Sequence, residues 1–359
     1  MRRLFMLKRI NKLRALMEQE VLDGYLIMNP KNLRYLTNFT GTAGVAVITP
    51  ESAYFITDFR YIEQATNQVQ EMTILQHQGF IGETVADLIE KNHLSAVGFE
   101  DDFLTFADYS MYEEIIQAEF APASGLIENL REQKDESEIV IIEKACSIAD
   151  AAFDHVLKMI RPGMTEIEVA NQIDFFMRSL GATGTSFDTI VASGFRSALP
   201  HGVASEKTIE NGEMITLDFG CVYQGYVSDI TRTFAIGDPG EQLRNIYAVV
   251  LEAQQEVLSK ARAGVTGAQL DSIARSIITE AGYGDAFGHS TGHGIGLDIH
   301  EGPNVSYTNE EPLKIGNVVT NEPGIYISGL GGVRIEDDLA ILEKGNRVLT
   351  HSPKDLIIL

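Results

Sequence analysis

The sequence predicts an α/β (α+β) protein built from two domains. In the first part of the chain, short apolar strands alternate with amphipathic helices, which is the pattern of a mixed α/β domain. From Asp135 onward, a long helix, a turn, a shorter helix and a pair of strands occur twice. The turn-forming stretch APASG at 121–125 separates the two patterns, so the predicted domains are residues 1–122 and 126–359.

The elements of the first domain follow from its periodicity. Apolar residues recur at helical spacing in residues 8–20, with Ile10, Leu13 and Met17 on one face. Two runs rich in apolar residues flank a Pro-Glu turn, which predicts neighbouring strands. Strands are expected at 24–28, 45–50, 52–58, 72–75 and 96–100, and further helices from Tyr61 and over 83–91.

The second domain opens with a strongly periodic helix that begins after Asp135. Ser137 is its predicted N-cap, and acidic residues in the first turn complement the helix dipole. A turn and a second amphipathic helix are expected within residues 161–181. Thr165 is placed to cap that helix, and Glu168 follows three residues later, as a capping box requires.

An internal repeat relates the two halves of the second domain. RPGMT at 161–165 recurs as RAGVT at 262–266, an offset of 101 residues. GEMITLDFG at 212–220 recurs as GNVVTNEPG at 316–324, an offset of 104 residues. Matching helix lengths and matching acid positions make chance a poor explanation. The second domain is therefore predicted to be a duplicated helix–helix–strand unit whose two halves face each other.

Composition narrows the class of protein. The net charge is 28 − 51 = −23, which disfavours nucleic acid and anionic membrane surfaces as partners. With two cysteines far apart in sequence, Cys146 and Cys221, a disulfide framework is excluded and a reducing compartment fits. No apolar run approaches the ~18 residues of a spanning helix. The expected location is the cytoplasm.

A glycine-rich stretch, FGHSTGHGIGLDIHEGP at 287–303, contains three of the eight histidines, His289, His293 and His300. Glycine allows a backbone to approach a ligand closely, and imidazole is both a common metal ligand and a common acid–base group. One or two such histidines would fit a surface loop, but the carboxylates around them favour a functional site.

Four carboxylates are predicted to converge on that stretch. Asp218 and Asp229 flank a predicted hairpin, and the repeat places Glu322 and Glu336 correspondingly in the second half. Four such groups repel one another unless cations neutralise them. With His293 they form a five-ligand set that suits two divalent ions, with Mn²⁺ expected and Co²⁺ or Zn²⁺ as alternatives. Glu310, Glu311 and Asp337 are expected to be solvated charges at strand ends.

The motifs TLDFG, SDITRTF, GHGIGLDIHE, NEPGIY and GVRIEDD resemble the metal motifs of the pita-bread metallopeptidases, which include methionine aminopeptidase, prolidase and aminopeptidase P. NLRYLTNFTGTAG and FITDFRYIEQA are similar to the creatinase-type first domain of the Xaa-Pro branch. The resemblance covers nearly the whole chain. It implies a creatinase-like N-terminal α/β domain followed by a pita-bread catalytic domain.

The resemblance also implies roles for the metal-site residues. Asp218 binds one ion, Asp229 and Glu336 bridge both ions, and His293 and Glu322 complete the other. Glu322 also carries a proton to the leaving nitrogen. Thr231 is expected to donate a hydrogen bond to a bridging carboxylate.

The same resemblance implies a substrate side. His201 and His300 contact the substrate, and His300 stabilises the oxyanion that develops at the scissile carbonyl. Asn304 stands where some prolidases have an arginine that could hold a product carboxylate, which favours substrates longer than two residues. The wall of the proline pocket is expected to consist of Phe187, His289, Tyr326 and Arg334.

The function predicted from all of this is dinuclear, metal-dependent hydrolysis of the Xaa-Pro bond at the N-terminus of peptides, of the aminopeptidase P type. The alternatives are a methionine aminopeptidase, against which the long first domain argues, an Xaa-Pro dipeptidase (prolidase), a metal-free creatinase-like hydrolase and a non-catalytic binding module. The retained five-ligand set argues against the last two. The expected partners are proline-containing peptides and, by resemblance, a second copy of the chain in a homodimer.

Overall fold

The computed structural model describes residues 2–359, with side chains from Met6 onward. Contacts divide the chain into two compact units, with the boundary between Arg131 and Glu132. The secondary structure is mixed α/β in both units, as predicted. None of the helices described within residues 2–359 combines the length and apolar character that crossing a bilayer requires.

The described residues of the first unit form a six-stranded mixed sheet, whose strands lie in the order Thr73–Gln76 (β4), Ala53–Thr57 (β3), Val45–Ile48 (β2), Gly24–Ile27 (β1), Ala96–Phe99 (β5) and Glu119–Pro122 (β6). All five predicted strands are present, and the apolar face of the first helix, including Leu13, is buried. Four elements were not predicted, namely the helices Pro30–Thr37 (α2), Phe106–Ile115 (α5) and Leu126–Arg131 (α6) and the strand Glu119–Pro122 (β6). Asn29 caps α2 and Pro30 begins it in the usual way. The elements are α1 (Arg2–Gln19), β1 (Gly24–Ile27), α2 (Pro30–Thr37), β2 (Val45–Ile48), β3 (Ala53–Thr57), α3 (Ile62–Gln68), β4 (Thr73–Gln76), α4 (Ile81–Lys91), β5 (Ala96–Phe99), α5 (Phe106–Ile115), β6 (Glu119–Pro122) and α6 (Leu126–Arg131).

The second unit contains the predicted duplication. Each half has a long helix, a turn, a shorter helix and strands that carry acidic residues at their ends. The helices are α7 (Glu136–Met159), α8 (Glu166–Ser179), α9 (Glu241–Lys260) and α10 (Gly267–Glu280). The strands are β7 (Gly184–Thr185), β8 (Ile190–Ser193), β9 (Glu213–Phe219), β10 (Cys221–Tyr223), β11 (Tyr226–Val227), β12 (Ile230–Ile236), β13 (Gly292–Gly294), β14 (Glu301–Val305), β15 (Val318–Asn321), β16 (Gly324–Ile327), β17 (Gly331–Arg334), β18 (Asp337–Leu342) and β19 (Gly345–Val348).

Helix caps confirm the repeat in detail. Thr165 caps α8 in a capping box with Glu168, and Thr266 caps α10 in the same way with Gln269. Both threonines also form an isolated bridge, Thr165 to residue 208 and Thr266 to residue 312, which reproduces the two sequence offsets. The related halves therefore use the same local structure to begin their second helix.

The predicted N-cap of α7 was wrong by two residues. Asp135 is the N-cap, and its side chain accepts hydrogen bonds from the backbone N–H groups of Ser137 and Glu138. The backbone N–H of Asp135 in turn donates to Glu138 Oε2 at 2.9 Å, which completes a capping box. An aspartate followed three residues later by a glutamate satisfies two helix-end donors, whereas Ser137 as the cap offers no such reciprocal pair.

The strand pairs position the acidic residues. β9 and β12 are antiparallel with Asp218 opposite Thr231, so the predicted hairpin brings Asp229 back toward Asp218. β15 and β18 are also antiparallel, with Asn321 opposite Asp337. Ile215, Leu217 and Phe219 belong to the core under α7 and α8, whereas Met214 belongs to the core under α9 and α10. Both faces of β9 are therefore buried, which fixes the register of its Asp218 end.

A buried ion pair joins the two halves behind the acidic strand ends. Arg232 on β12 donates to Asp337 Oδ1 at 2.7 Å and to the carbonyl oxygens of Glu336 and Ser352. Glu310 and Glu311 are exposed, as predicted, but Asp337 is 0% exposed. The prediction of a solvated charge at Asp337 was wrong because Arg232 lies more than a hundred residues away in sequence. Burial disfavours the charge on Asp337, but Arg232 and Lys354 outweigh burial and lower the pKa of its carboxyl group.

We expect Arg232→Met to lower the free energy of unfolding of this unit by about 3 kcal/mol or more, because one partner of a buried ion pair is removed. Urea unfolding of the wild type and the variant measures the difference. Arg244→Met is the matched control, since the Arg244–Asp238 pair is exposed to solvent and contributes little. Equal losses in the two variants would show that burial of the Arg232 pair has no special effect on stability.

Candidate active site

A cavity of about 470 Å³ lies where the acidic strand ends meet the glycine-rich stretch. All the predicted site residues line it except Tyr326, which lies directly behind two of them. The lining residues among those predicted are Phe187, His201, Asp218, Asp229, His289, His293, His300, Glu322, Arg334 and Glu336. One concave surface is thus formed by the strand ends together with the glycine-rich stretch 287–303.

The four carboxylates occupy corresponding positions in the two halves of the repeat. Asp218 lies near the end of β9 and Asp229 immediately before β12; Glu322 follows β15 and Glu336 precedes β18. Ligand atoms of Asp229, His293 and Glu336 all lie within 4.8 Å of one another. His293 Nε2 is 3.4 Å from Glu322 Oε1 and 3.7 Å from Asp229 Oδ2. The predicted acidic cluster and its histidine are therefore in one place.

Burial makes this cluster electrostatically costly. Desolvation, followed by the charge of Glu336, raises the pKa of Asp229 well above its usual value. Desolvation likewise raises the pKa of Glu336, with Glu322 as the next cause, and that of Glu322. One oxygen of Asp218 and one of Asp229 are buried without a hydrogen-bond partner among the described residues. Oxygen-rich donors with lone pairs to spare and excess negative charge fit divalent cations.

The geometry of His293 also suits a metal ligand. Its backbone N–H donates to Thr320 Oγ1 at 3.0 Å, and its Nδ1 lies 3.1 Å from the Gly294 carbonyl oxygen. A proton on Nδ1 that is donated to this carbonyl leaves Nε2 free to bind a cation. Desolvation lowers the pKa of His293, which favours the neutral imidazole that metal binding requires.

Glycines on either side of His293 allow the strand to approach its neighbours. A Cβ atom at Gly292 would lie 2.1 Å from the Thr320 carbonyl oxygen, and one at Gly294 would lie 2.4 Å from the Gly302 carbonyl oxygen. Both distances are far shorter than any carbon–oxygen contact, so these positions accept only glycine. The close backbone approach predicted for the glycine-rich stretch is present, and it brings His293 to the carboxylates.

A chain of hydrogen bonds connects the predicted proline pocket to the carboxylates. His289 Nε2 lies 2.8 Å from the Tyr326 hydroxyl, which accepts a bond from Arg334 Nη1 at 2.7 Å. Arg334 also donates to Asp218 Oδ2 and to the Thr231 hydroxyl. Thr231 donates to Glu336 Oε2 at 2.6 Å, as expected of a residue that orients a bridging carboxylate.

The sequence did not predict the bond between Arg334 and Asp218. Arg334 and Glu336 are two residues apart, a spacing that puts both side chains on one face of an extended segment. This spacing was the sequence signal that Arg334 lies near the carboxylates. The partner, Asp218, belongs to the other half of the repeat. A single side chain therefore belongs both to the predicted pocket wall and to the support of a predicted metal ligand.

The remaining predicted histidines differ in environment. The His300 ring packs edge-on against that of His293, with centroids 4.3 Å apart. Desolvation, and then the neighbouring His293, lowers the pKa of His300. His201 is exposed at the cavity rim, and Phe187 lines the cavity nearby. Both residues line the same cavity as the carboxylate cluster.

Comparison with known proteins identifies the family. The model of metallopeptidase family M24 matches residues 140–343, and that of the creatinase/prolidase N-terminal domain matches residues 9–133. The chain belongs to metallopeptidase family M24. The family resemblance and the predicted fold, a creatinase-like domain followed by a pita-bread domain, are confirmed. As an M24 protein the chain is a metallopeptidase that uses divalent metal.

Three relatives illustrate the similarity of this M24 chain. An uncharacterized peptidase of Bacillus subtilis, YqhT, is 52% identical over 98% of this chain and 100% of its own length. The solved structure of an Xaa-Pro dipeptidase from Bacillus anthracis has 54% identity and a TM-score of 0.98, covering 99% of this chain and 100% of that one. An X-Pro aminopeptidase from Thermotoga maritima has 39% identity and a TM-score of 0.91, covering 96% of this chain and 100% of that one.

We expect Mn²⁺ to raise the unfolding temperature of the M24 domain after chelation with EDTA. At a concentration 100 times Kd the stabilisation is about 2.7 kcal/mol, roughly 5–10 °C for a domain of this size. Differential scanning calorimetry measures this shift. Asp229→Asn should lose most of it while raising the stability of the metal-free protein, because one repelling carboxylate is gone.

Asp238→Asn, which removes an exposed acid outside the cavity, is the control and should retain the full Mn²⁺ response. A normal Mn²⁺ response of Asp229→Asn would contradict the assignment of Asp229 as a ligand.

Proposed function

We propose that this M24 metallopeptidase removes the N-terminal residue from peptides whose second residue is proline, as aminopeptidase P does. The observation that carries the proposal is the joining of two arrangements in one cavity. A cluster of four carboxylates and one histidine lies against a cavity wall that includes His289 and Arg334. Tyr326, behind these two residues, completes a chain of hydrogen bonds to the cluster.

Two divalent ions are proposed for the cluster, with Mn²⁺ expected and Co²⁺ or Zn²⁺ as alternatives. Asp218 would hold one ion, Asp229 and Glu336 both, and His293 with Glu322 the other. Bound ions of this kind polarise a carbonyl oxygen and lower the pKa of water. The orphaned oxygens of Asp218 and Asp229 and the short reach from His293 to Glu322 support this ligand set.

The surrounding side chains would handle the substrate. Glu322 is proposed to carry a proton to the leaving proline nitrogen, since its carboxylate reaches the cavity beside His293. His300 would donate to the oxygen on which negative charge develops, and a preorganised donor is most effective there. His201, which also lines the cavity, would contact the peptide backbone.

The proposed proline pocket has a physical rationale. A proline in the second position has no amide N–H and a fixed φ, so a general aminopeptidase site handles the preceding bond poorly. Phe187 and His289 offer ring faces to the cavity, and the His289 ring is held by its hydrogen bond to Tyr326, which in turn is bound by Arg334. A ring that is already fixed can pack against the pyrrolidine without a further loss of side-chain entropy on binding.

Peptides longer than two residues are proposed as the better substrates. Among the described lining residues, Arg334 is the only permanently charged cation, and it is already bound to Asp218. Asn304 lines the cavity where a positive side chain would hold the carboxylate of a free dipeptide. The second candidate is an Xaa-Pro dipeptidase, which the Bacillus anthracis relative favours by its name.

We also propose a homodimer that acts in the cytoplasm on proline-containing peptides. Both cysteines are free and buried, which fits a reducing compartment. The net charge of −23 disfavours nucleic acid and anionic membranes as partners.

A substrate-length series tests the specificity. With Mn²⁺ present we expect Xaa-Pro-Yaa peptides to be cleaved with a kcat/KM at least about tenfold above that for Xaa-Pro, because position 304 offers an asparagine and no cation to hold the carboxylate of a dipeptide. Xaa-Ala-Yaa serves as the control for the proline requirement and should be cleaved much more slowly. Fast cleavage of dipeptides with inert tripeptides would identify a prolidase, and a preference for Met-Ala-Yaa would contradict the proline assignment.

His300→Ala should lower kcat about 10²–10³-fold without loss of metal, because an oxyanion donor is removed while the five ligands remain. Steady-state kinetics and metal analysis by mass spectrometry measure the two quantities on the same sample. His351→Ala, which alters an exposed histidine outside the cavity, is the control. Loss of a metal equivalent in His300→Ala would mean that His300 is a ligand.

A further inference from the structure

A buried carboxylate outside the cavity holds both ends of the stretch that carries His201. Glu166, the first residue of α8, is 0% exposed. Its Oε1 accepts from the backbone N–H of Ser193 at 2.8 Å and from the Ser193 hydroxyl at 2.9 Å. Its Oε2 accepts from the backbone N–H of Ser205 at 3.1 Å and from the Ser205 hydroxyl at 2.6 Å. Residues 193–205 are called the His201 segment below.

Apolar packing alone does not hold this segment. Phe195, Leu199 and Val203 are 60%, 50% and 47% exposed. Of these three, Val203 lines the cavity, together with Pro200 and His201. A loop with so little buried apolar surface opens easily unless polar contacts fix it.

Arg196 adds a second polar tie within the segment. Its guanidinium donates to the Glu166 carboxylate through Nη1 and to the Val203 carbonyl oxygen at 2.9 Å through Nη2. The Ser197 hydroxyl accepts from the backbone N–H of Gly332 at 2.9 Å, which fastens the segment to the strand that carries Arg334. Glu166 therefore holds the two ends of the segment together, and Arg196 connects Glu166 to Val203, two residues from His201.

We infer that Glu166 is a positioning residue for peptide hydrolysis, acting through the His201 segment to hold His201 against the bound peptide. The inference rests on the proposed function of the cavity. Charge-assisted hydrogen bonds from five donors fix a backbone more rigidly than the neutral contacts of the same segment would. Misplacement of a substrate-contacting group by about 1 Å costs up to 10²-fold in rate.

The second half of the repeat contains a comparable arrangement. Asp271 on α10 is 0% exposed and accepts from both the N–H and the hydroxyl of Thr291, at 3.1 and 3.0 Å. Its ion-pair partner, Arg275, donates to the carbonyl oxygen of His289 at 2.9 Å. In both halves, therefore, a buried carboxylate and an arginine hold the loop of a histidine that lines the cavity. The recurrence of this arrangement next to the cavity supports a role in positioning these histidines.

The first test is a double-mutant cycle of Glu166→Gln and His201→Ala, assayed on an Xaa-Pro-Yaa peptide with saturating Mn²⁺. The glutamine keeps the side-chain volume but places a donor where Ser205 and Arg196 also donate. We expect Glu166→Gln to lower kcat/KM about 10–100-fold in the wild type and less than about twofold in His201→Ala. Glu168→Gln is the matched control, because Glu168 lies on the same turn and bonds only its own helix cap.

The second test needs no catalysis. Trypsin should cut after Arg196 at least about tenfold faster in Glu166→Gln than in Glu168→Gln, since the guanidinium has lost its carboxylate and the segment opens. Metal analysis should find wild-type metal content in both variants. Ser205→Ala, which removes one hydroxyl donor and keeps the carboxylate, provides a milder version of both tests if Glu166→Gln does not fold.

Equal losses of kcat/KM in both backgrounds would overturn the inference, because Glu166 would then act independently of His201. Unchanged activity and an unchanged trypsin rate would overturn it as well. If the wild type fails to cleave Xaa-Pro-Yaa peptides with any of the three metals, the proposed function is wrong. In that case the trypsin rate at Arg196 still decides whether Glu166 holds the segment.

Discussion

The structure depends on the convergence of four carboxylates, three buried and one half-buried, at the ends of paired strands. Burial is the largest cause that raises the pKa of Asp229, Glu322 and Glu336, and repulsion from neighbouring carboxylates adds to it. Protein groups offset only part of this cost, chiefly Arg334 beside Asp218 and the Thr231 hydroxyl on Glu336. The rest of the negative charge is what a divalent cation would neutralise, so the same repulsion that weakens the metal-free protein favours metal binding.

The duplicated architecture is what makes such a cluster possible. Each half supplies two acids from one antiparallel pair, and the two pairs meet across the Arg232–Asp337 contact. Arg232 lies beside the strand ends, where its donors satisfy the Glu336 carbonyl and the Asp337 carboxylate together. A buried cation thus compensates the acid next to Glu336 without occupying the cavity, which leaves the predicted ligands free for metal.

The sequence predicted what depends on local pattern and on the repeat. Strand and helix positions, the capping box at Thr165 and the meeting of Asp218 with Glu336 all follow from periodicity and from offsets of 101 and 104 residues. Long-range polar pairing was not predictable in this way. Asp337 was expected in solvent because Arg232 is distant in sequence, and the Arg334–Asp218 bond crosses between halves for the same reason. Such partners are chosen by tertiary packing, which leaves no periodic signal.

The carboxylates around the cavity therefore have two different roles. Those at the strand ends face inward and concentrate charge, while others, one layer behind, are paired with cations and hold loops. Glu166 with Arg196 holds the loop of His201, and Asp271 with Arg275 holds that of His289. Lys134 pairs with Glu301 at 2.6 Å, and Glu301 accepts from the Asp298 N–H in the turn that carries His300. Because each outer carboxylate is neutralised, it can fix a histidine close to the acidic cluster without adding to the repulsion there.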